Sequence, residues 1–239
     1  MVHVTETKPA SGRPPRGRRR SQSERREETS ERILDAAESL FAEHGVEPVT
    51  IRQIAKKSGV DTALVHYYFN TKPGVFAAVL ERRADFVNSR RTAALDLYEV
   101  ETAGQMTAAG LVRAYLTPTF SFMLEDNPGH RDYGAVIGRL NSAAAPPEMR
   151  ASGTVFDPVV HRLVRLLGKV RPECAEADIY WFYHLMSGAI SLSLSQTGRI
   201  DLLSDGACRS DDFAVILERM VAVFGRGFSA LPPSAGEPG

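Results

Sequence analysis

The sequence has few cysteines, a single tryptophan and no excess of charge of either sign. Its two cysteines, Cys174 and Cys208, are too few for a disulfide framework and lack the spacing of a metal site. The 29 basic and 29 acidic residues give a formal net charge of zero, which indicates no particular partner. The first residues, MVHVTETK, lack the apolar segment of a signal peptide. We therefore expect a cytoplasmic protein without metal or cofactor.

Uncharged runs of membrane-spanning length are also scarce. One run, IYWFYHLMSGAISLSLS at 179–195, has no Asp, Glu, Lys or Arg and is close in length to a spanning helix. It contains His184 and four serines, and acidic residues lie just before it. This composition favours a helix buried on nearly all sides within the protein, and no membrane segment.

Motifs of catalysis are absent from the sequence. The six histidines are scattered, and there is no Gly-rich phosphate loop, Ser-x-x-Lys or Gly-x-Ser-x-Gly element. The adjacent carboxylates Glu125-Asp126 and Asp211-Asp212 are more typical of helix ends than of acid/base pairs. We predict that the chain is not an enzyme and has no catalytic residue, with a helical enzyme left as an alternative.

Charge is unevenly distributed along the chain. Residues 1–26 contain eight Lys or Arg and two Glu, together with Pro and Gly and almost no apolar residue. Such a segment cannot bury a core, so we predict a disordered basic arm over 1–26. It could contact DNA phosphates or a minor groove, or serve only as a solubilising tail.

The remaining sequence has a helical pattern throughout, with no convincing strand and no internal repeat. SERILDAAESLFAEHG places Ile33, Ala37 and Phe41 on one stripe, with Ser30 as a candidate cap and Gly45 as the stop. A later helix begins near Thr71 with Pro73 in its first turn. Further helices are predicted at roughly 104–125, 129–144, 147–170, 174–197 and 210–228. The fold class is therefore all-α.

Two short helices are joined tightly in TIRQIAKKSGVDTALVHYYFNTK, residues 50–72. Thr50 and Gln53 match a capping box at the start of the first helix, and Gly59 suits its end. Asp61 is a candidate cap for the second. Each helix spans only about two turns, too few for stability in isolation.

The second short helix has an apolar back, Val65 and Phe69, and a front of small or hydrogen-bonding residues. Two short helices joined by a Gly-containing turn are typical of a helix-turn-helix, whose second helix enters the DNA major groove. The spacing by itself also fits one corner of an all-helical core with a solvated front.

Residues 30–80 resemble the DNA-binding domain of the tetracycline-repressor (TetR) family of transcription regulators. ILDAAESLFAEHG, TIRQIAKKSGV and VHYYFNTK occur in the order and spacing of that family. The resemblance implies an all-helical homodimer in which a C-terminal domain binds a small molecule and controls a three-helix N-terminal DNA-binding domain. We expect an arm at 1–26, a DNA-binding domain at 27–72, an effector-binding and dimerisation domain at 73–230 and a loose tail at 231–239.

The resemblance also implies a set of DNA contacts. Thr50 and Lys72 would contact phosphate, and Arg52 phosphate or guanine. The residues that would face the DNA bases and backbone are Thr62, Ala63, His66 and Tyr67. His66 stands where the family usually has tyrosine, and Pro73 where an acidic residue commonly follows the lysine, which leaves the operator sequence open.

The last two predicted helices carry the features of a dimer interface. The stripe in the final helix repeats at i, i+3, i+4, i+7, i+8 and i+11, and two small residues in the preceding helix permit close approach. The predicted interface is Gly188, Ala189, Phe213, Ile216, Leu217, Met220, Val221 and Phe224. Two helices from each protomer would form a four-helix bundle, although the same stripe could be core within one protomer.

Large, soft and aromatic residues are frequent in the C-terminal half, and several fall on more than one face of their helices. We predict a mainly apolar effector pocket lined by Tyr115, Phe120, Met123, Phe156, Trp181, Phe182 and Met186. Arg139, Asn141 and His184 are the predicted polar contacts. Core packing could explain each of these residues singly.

The predicted function is a ligand-responsive transcriptional regulator, a repressor, that binds a palindromic double-stranded DNA operator as a homodimer. A small hydrophobic effector would release it. A DNA-binding or nucleoid-type protein without an effector is the alternative that the sequence leaves open.

Overall fold

Helices account for all regular secondary structure in the described part of the chain. The computed structural model describes residues 21–125, 127–140 and 152–233. Within these ranges there are ten α-helices, one 3-10 helix and no strand, which confirms the all-α prediction. The α-helices are α1 Gln22–His44, α2 Ile51–Ser58, α3 Thr62–Phe69, α4 Lys72–Glu101, α5 Ala108–Leu124, α6 Pro128–Leu140, α7 Asp157–Val170, α8 Glu176–Leu194, α9 Arg199–Leu203 and α10 Phe213–Ser229. The 3-10 helix is Ser152–Phe156.

The first helix begins earlier than predicted. Ser21, not Ser30, is its N-cap: the Ser21 hydroxyl accepts from the Glu24 amide, and the Glu24 carboxylate accepts from the Ser21 amide. This capping box adds two turns, so residues 22–26 are helical rather than part of a disordered arm. The end at Gly45, with a positive φ of 81°, was predicted correctly. Residues 1–20 of the arm lie outside the described residues.

The caps predicted for α2 and α3 are confirmed. Thr50 accepts from the Gln53 amide while the Gln53 side chain accepts from the Thr50 amide, and Gly59 has the left-handed conformation that ends α2. Asp61 accepts from the Ala63 amide at 2.7 Å. These local bonds satisfy helix-end groups that water would otherwise have to solvate.

The five later helices that were predicted are present in the predicted order, but their ends shift and one short helix was not predicted. α5 begins at Ala108, capped by Thr107, instead of near 104. The predicted helix 147–170 is a 3-10 turn followed by α7, and residues 141–151 lie outside the described residues. The polar stretch 198–209, predicted as a break, contains the short helix α9. The proposed tail at 231–239 is described only to Pro233.

The first four helices share one hydrophobic core. Ile33 and Phe41 of α1, Ile54 of α2 and Val65 of α3 are fully buried, and Phe41 meets Phe76 of α4 edge to face with ring centres 5.7 Å apart. α4 then continues past this unit and packs against α5, α7 and the 3-10 helix, while α5 lies between α4 and α10. α6 contacts α1 on one side and α8 on the other.

A buried acidic residue joins α1 to α4. The Glu38 side chain is 2% exposed and pairs with Arg82 and with Arg83. Burial raises the pKa of Glu38, and the two guanidinium groups oppose that rise. Arg82 also pairs with the exposed Glu31 and Asp35, so a branched ion network fixes the first helix on the fourth.

Candidate DNA-binding surface and effector cavity

The front of α3 is solvent-exposed, as a surface that docks into DNA must be. We call Thr62, Ala63, His66 and Tyr67 the reading face. Ala63, His66 and Tyr67 are exposed and Thr62 is half-buried, while Val65 behind them is fully buried. Thr50 and Arg52 at the start of α2 are also exposed. The predicted contact residues before Lys72 are therefore all accessible on the α2–α3 unit.

Two contacts organise the reading face. His66 Nδ1 lies 2.7 Å from the Asn70 carbonyl oxygen, so with a proton on Nδ1 it donates there and leaves Nε2 for an external partner. The Arg26 guanidinium carbon lies 5.7 Å from the ring centre of Tyr67 and 5.8 Å from that of Tyr68. Because Arg26 belongs to α1, this cation–π contact sets a basic residue beside the reading face.

Lys72 is engaged within the protein, which was not predicted. Its amino group donates to the carbonyl oxygens of Val46 (3.1 Å) and Glu47 (2.8 Å). These carbonyls belong to the segment between α1 and α2, so Lys72 positions that loop. One ammonium proton is left over after these two bonds, which limits the lysine to a single further contact.

Part of the predicted dimer stripe lies in the core of one protomer. Phe213, Met220 and Val221 are buried, because this face of α10 packs on α5. Ile216, Leu217, Phe224 and Ala189 are half-buried against the same core. Of the eight predicted interface residues Gly188 alone is exposed. Half of the six stripe residues are therefore core within one protomer, which is the alternative that the sequence left open.

The opposite faces of α8 and α10 are the exposed apolar ones. We call the outer face the set Trp181, Leu185, Gly188 and Leu192 of α8 with Val215 and Val223 of α10. The three large α8 residues are 64–66% exposed and follow helical spacing at i, i+4 and i+11. α8 is therefore not buried on nearly all sides within one protomer, contrary to the sequence prediction. Exposed apolar side chains that share one helix face, as on α8, are typical of an interaction surface.

A cavity of about 390 Å³ lies in the C-terminal half, between α4, α5, α6, α8 and the segment that precedes α7. This volume falls within the range of small-molecule sites. Asn88 of α4 donates to the Val155 carbonyl at 2.9 Å and so holds the 3-10 helix against the cavity. The lining residues are Val87, Arg91, Tyr115, Thr119, Phe122, Met123, Tyr133, Gly134, Ile137, Thr154, Phe156, Asp157, Tyr183, His184, Ser187, Ile190, Ser191 and Leu194.

The cavity includes only some of the predicted pocket residues. Tyr115, Met123, Phe156 and His184 line it. The others point elsewhere: Phe120 packs near Phe213, Phe182 packs against Phe224 and Phe228, Met186 is in the core, and Trp181 is on the outer face. Asn141 and the Arg139 side chain lie outside the described residues.

Sequence reasoning predicted one polar residue of the cavity, His184, and missed its buried polar residues. Arg91, Thr119 and Tyr133 are buried, and the hydroxyl of Tyr133 has no hydrogen-bond partner in the described structure. Burial also raises the pKa of Tyr133 and of Tyr183. The burial of Arg91 could have been inferred from the sequence, because Arg91 lies between Val87 and Leu95 on one helix face, at i, i+4 and i+8.

One helix connects the cavity to the DNA-binding unit. Tyr133 and Ile137 of α6 line the cavity, whereas the other side of α6 packs on α1. Gly138 allows α6 to approach α8 closely, because a Cβ there would lie 2.1 Å from Ser195 Oγ and 2.9 Å from the Ser191 carbonyl oxygen. A ligand in the cavity would thus touch a helix that also contacts α1.

Two family models match the chain. The model described as bacterial regulatory proteins, tetR family, matches residues 33–79, and the tetracyclin repressor-like C-terminal domain matches residues 113–226. The chain belongs to the TetR family of transcriptional regulators. The predicted family resemblance is thereby confirmed, and its helix-turn-helix is the unit formed by α2 and α3.

Comparisons with individual proteins agree with this family assignment. The transcriptional regulator SrpR of Pseudomonas putida is 47% identical over 57 residues, which are 24% of this chain and 27% of SrpR. The repressor ComR of Escherichia coli (strain K12) is 26% identical over 176 residues, 71% of this chain and 81% of ComR. The solved structure of the fatty acid degradation regulator FadR from Bacillus halodurans has the same fold, with a TM-score of 0.56 at 17% identity, covering 86% of this chain and 97% of FadR.

Neither a membrane span nor a metal cluster occurs in the part of the chain that the structure describes. Each helix in these ranges is too short or too polar to cross a lipid bilayer. Within the same ranges, no three His, Cys, Asp or Glu side chains are grouped as a metal site would require.

Proposed function

We propose that the chain is a ligand-responsive transcriptional repressor that binds a two-fold symmetric DNA site as a homodimer and is released by a small molecule in the cavity. The name of ComR supports the sign of regulation, and the exposed reading face supports DNA binding. The observation that carries the proposal is the position of α6, because it joins the effector cavity to the first helix of the DNA-binding unit.

The dimer is proposed to form through the outer face. Leu185, Leu192 and Val223 expose about two thirds of their surfaces in one protomer, and burying them against a second copy would remove apolar area from water. A two-fold contact of α8 and α10 with their copies makes a four-helix bundle. The proposed interface uses the same two helices as the interface predicted from the sequence, but most of its residues are different.

Release of DNA follows from differential affinity. A ligand shifts the protein only if it binds one conformation more tightly than the other. We infer that the ligand favours a position of α6 and α4 in which the two reading faces no longer match successive major grooves, about 34 to 36 Å apart. The ion network of Glu38 with Arg82 and Arg83 transmits movement of α4 to α1.

The test begins with selection of a DNA site from a random pool, followed by binding titrations on the selected duplex and a scrambled one. We expect Tyr67→Ala and His66→Ala to weaken the selected site by about tenfold or more and to change sequence preference, since each contact with a base contributes about 1–3 kcal/mol. Arg52→Ala should weaken both duplexes alike if Arg52 contacts phosphate, and the selected duplex more strongly if it contacts guanine. Arg165→Ala, an exposed residue of α7, is the matched charge control and should leave both titrations unchanged.

Two results would contradict the proposal. A protein that binds every duplex equally at low salt is a nucleoid-type protein, not an operator-binding regulator. A protein that binds a selected site but keeps its affinity with every ligand that occupies the cavity is a regulator without an effector.

A further inference from the structure

The cavity contains a buried cation that forms no ion pair with an acidic residue in the described part of the chain. Arg91 is 6% exposed, and its guanidinium donates to Thr119 Oγ1 from Nε at 3.1 Å and from Nη2 at 2.6 Å. Its carbon lies 4.3 Å from the ring centre of Tyr115. The preceding residue, Arg90, pairs with Glu125 at 3.0 Å, whereas no Asp or Glu in the described ranges forms an ion pair with Arg91.

Tyr133 brings an unsatisfied donor to the same cavity. Its side chain is 5% exposed, and its hydroxyl finds no hydrogen-bond partner among the described atoms. Arg91 and Tyr133 both line this cavity, and burial raises the pKa of Tyr133. The phenol keeps its proton at neutral pH and is available as a donor.

A buried guanidinium without a counter-charge and a buried phenol without an acceptor are together suited to an anion. A buried charge needs a counter-charge, and a buried donor without a partner loses the hydrogen bond that it had in water. A carboxylate has two oxygens with about four acceptor sites, enough for a guanidinium and a phenol together. A carbonyl or hydroxyl oxygen would satisfy the donors without neutralising Arg91.

We propose that the effector is an amphipathic monocarboxylate whose carboxylate binds Arg91 and the Tyr133 hydroxyl. Its apolar part would lie on the hydrophobic side of the cavity, formed by Val87, Phe122, Met123, Ile190 and Leu194. This inference rests on the proposed function, because it assigns a ligand class to the same cavity. The predicted mainly hydrophobic effector therefore gains one charged end.

The rim of the cavity limits the ligand to one anionic group. Asp157 and His184 line the cavity but are exposed, whereas Arg91 and Thr119 are buried. A second carboxylate near the rim would meet the negative charge of Asp157, which is unfavourable at short range. A dicarboxylate should therefore bind less well than a monocarboxylate of the same length.

The first experiment uses the unmodified protein and three ten-carbon probes: decanoate, decan-1-ol and decylammonium. Calorimetry measures the binding of each probe, and a titration of the selected DNA duplex measures release. We expect decanoate to bind about 10- to 100-fold more tightly than decan-1-ol, because hydrogen bonds to charged groups are about twice as strong as neutral ones. Decylammonium should not bind, and decanedioate should bind more weakly than decanoate.

The second experiment tests whether Arg91 and Tyr133 bind the carboxylate. Arg91→Met should lower decanoate affinity by about 10- to 100-fold while leaving decan-1-ol binding equal or improved, and Tyr133→Phe should lower decanoate affinity by about 3- to 10-fold. Arg90→Met is the matched control, since Arg90 is adjacent in sequence but pairs with Glu125 outside the cavity lining. Tyr133→Phe removes a single oxygen, so it stays informative if Arg91→Met does not fold.

The results of the two experiments can refute the carboxylate site and the proposed effector control independently of each other. If decan-1-ol binds and releases DNA as well as decanoate, or if Arg91→Met keeps the preference for decanoate, the carboxylate site is refuted and the effector-controlled repressor stands. If decanoate binds through Arg91 but DNA affinity does not change, the site stands and effector control is refuted. Failure of octanoate, decanoate, dodecanoate and 2-naphthoate to bind at all refutes the carboxylate site.

Discussion

The imidazole of His130 stacks on the ring of Phe122, with ring centres 3.6 Å apart, and its Nδ1–H donates to the Phe122 carbonyl at 2.8 Å. His130 is near the start of α6, and Phe122 lines the cavity from α5. The contact therefore fixes the helix that joins the cavity to α1. It also makes the stability of the fold depend on pH.

Burial is the main cause that lowers the pKa of His130 below its ordinary value of 6.5. The folded state then binds fewer protons than the unfolded state between the folded pKa and 6.5, so the free energy of unfolding falls as pH decreases through this window. We expect His130→Phe to lose less stability than the wild type between about pH 7.5 and pH 5 in urea unfolding. At neutral pH it should be less stable by about 1–3 kcal/mol, because the Phe122 carbonyl loses its donor.

His161→Gln is the control for this measurement, since His161 is exposed on α7. It should keep the pH dependence of the wild type. An unchanged slope in His130→Phe would show that the acid sensitivity of the fold arises from other groups.

Removing the buried carboxylate between α1 and α4 should be far more damaging than removing an exposed one. Glu38→Ala leaves Arg82 and Arg83 without their buried partner, and we expect a loss of about 3 kcal/mol in urea unfolding. Glu31→Ala removes a half-exposed partner of the same Arg82 and should cost no more than about 1 kcal/mol. Equal losses in the two variants would argue against the buried pair as the anchor of α1.

A deletion that ends where the structure shows α1 to begin tests whether the basic arm contacts DNA. Deleting residues 1–20 retains Ser21 and its capping box, whereas deleting 1–26 would remove the first turn of α1 and Arg26 as well. If the arm contacts DNA, the slope of log affinity against log salt should become shallower by about 0.9 for each phosphate that the arm neutralises. A slope identical to that of the full chain would identify residues 1–20 as a solubilising tail.

Charges on the outer face should dissociate the dimer without unfolding the protomer. We expect Leu185→Asp and Val223→Asp to sediment as monomers with unchanged helicity, because both side chains are about 65% exposed in one protomer. Met220→Asp should unfold the chain instead, because Met220 is buried under α5. Leu97→Asp, on α4 and 58% exposed, is the control that should remain dimeric. A folded, dimeric Leu185→Asp would exclude the outer face as the interface.

Lys72→Ala should weaken both folding and DNA binding. The lysine donates to two carbonyls of the loop between α1 and α2, so its removal should cost about 1 kcal/mol in unfolding. Any direct phosphate contact would add a uniform decrease of affinity for all duplexes. Lys56→Ala, exposed on α2, separates the two effects, since it removes a charge without removing these bonds.

The DNA-binding unit was predictable because its signals are local. The caps at Thr50 and Asp61 and the left-handed Gly59 depend on residues at most a few positions away, and they determine where α2 and α3 begin and end. The start of α1 was placed incorrectly because Ser21 and Glu24 lie in a basic, polar segment that composition alone assigns to disorder.

The cavity and the proposed interface were harder to predict from the sequence, because they depend on contacts between helices that are distant along the chain. Trp181 and Phe182 are adjacent in sequence, yet one is 64% exposed and the other 5% exposed. In a helix with apolar residues on all sides, periodicity does not show which face meets a neighbour. The stripe on α10 was predicted as a dimer interface, and its buried residues Phe213, Met220 and Val221 lie on the face that packs on α5 of the same chain.

α8 forms a single wall between the cavity and the outer face. Ser187 and Ile190 line the cavity from one side, while Leu185 and Leu192 project from the other. In the proposed dimer, a ligand in one protomer is thus one helix thickness away from the partner subunit. If occupying one cavity shifted the surface on which the partner's α8 rests, the two ligand sites would be energetically coupled. Induction would then be cooperative, and the steepness of the response to effector concentration would be set by how rigidly this one helix is packed.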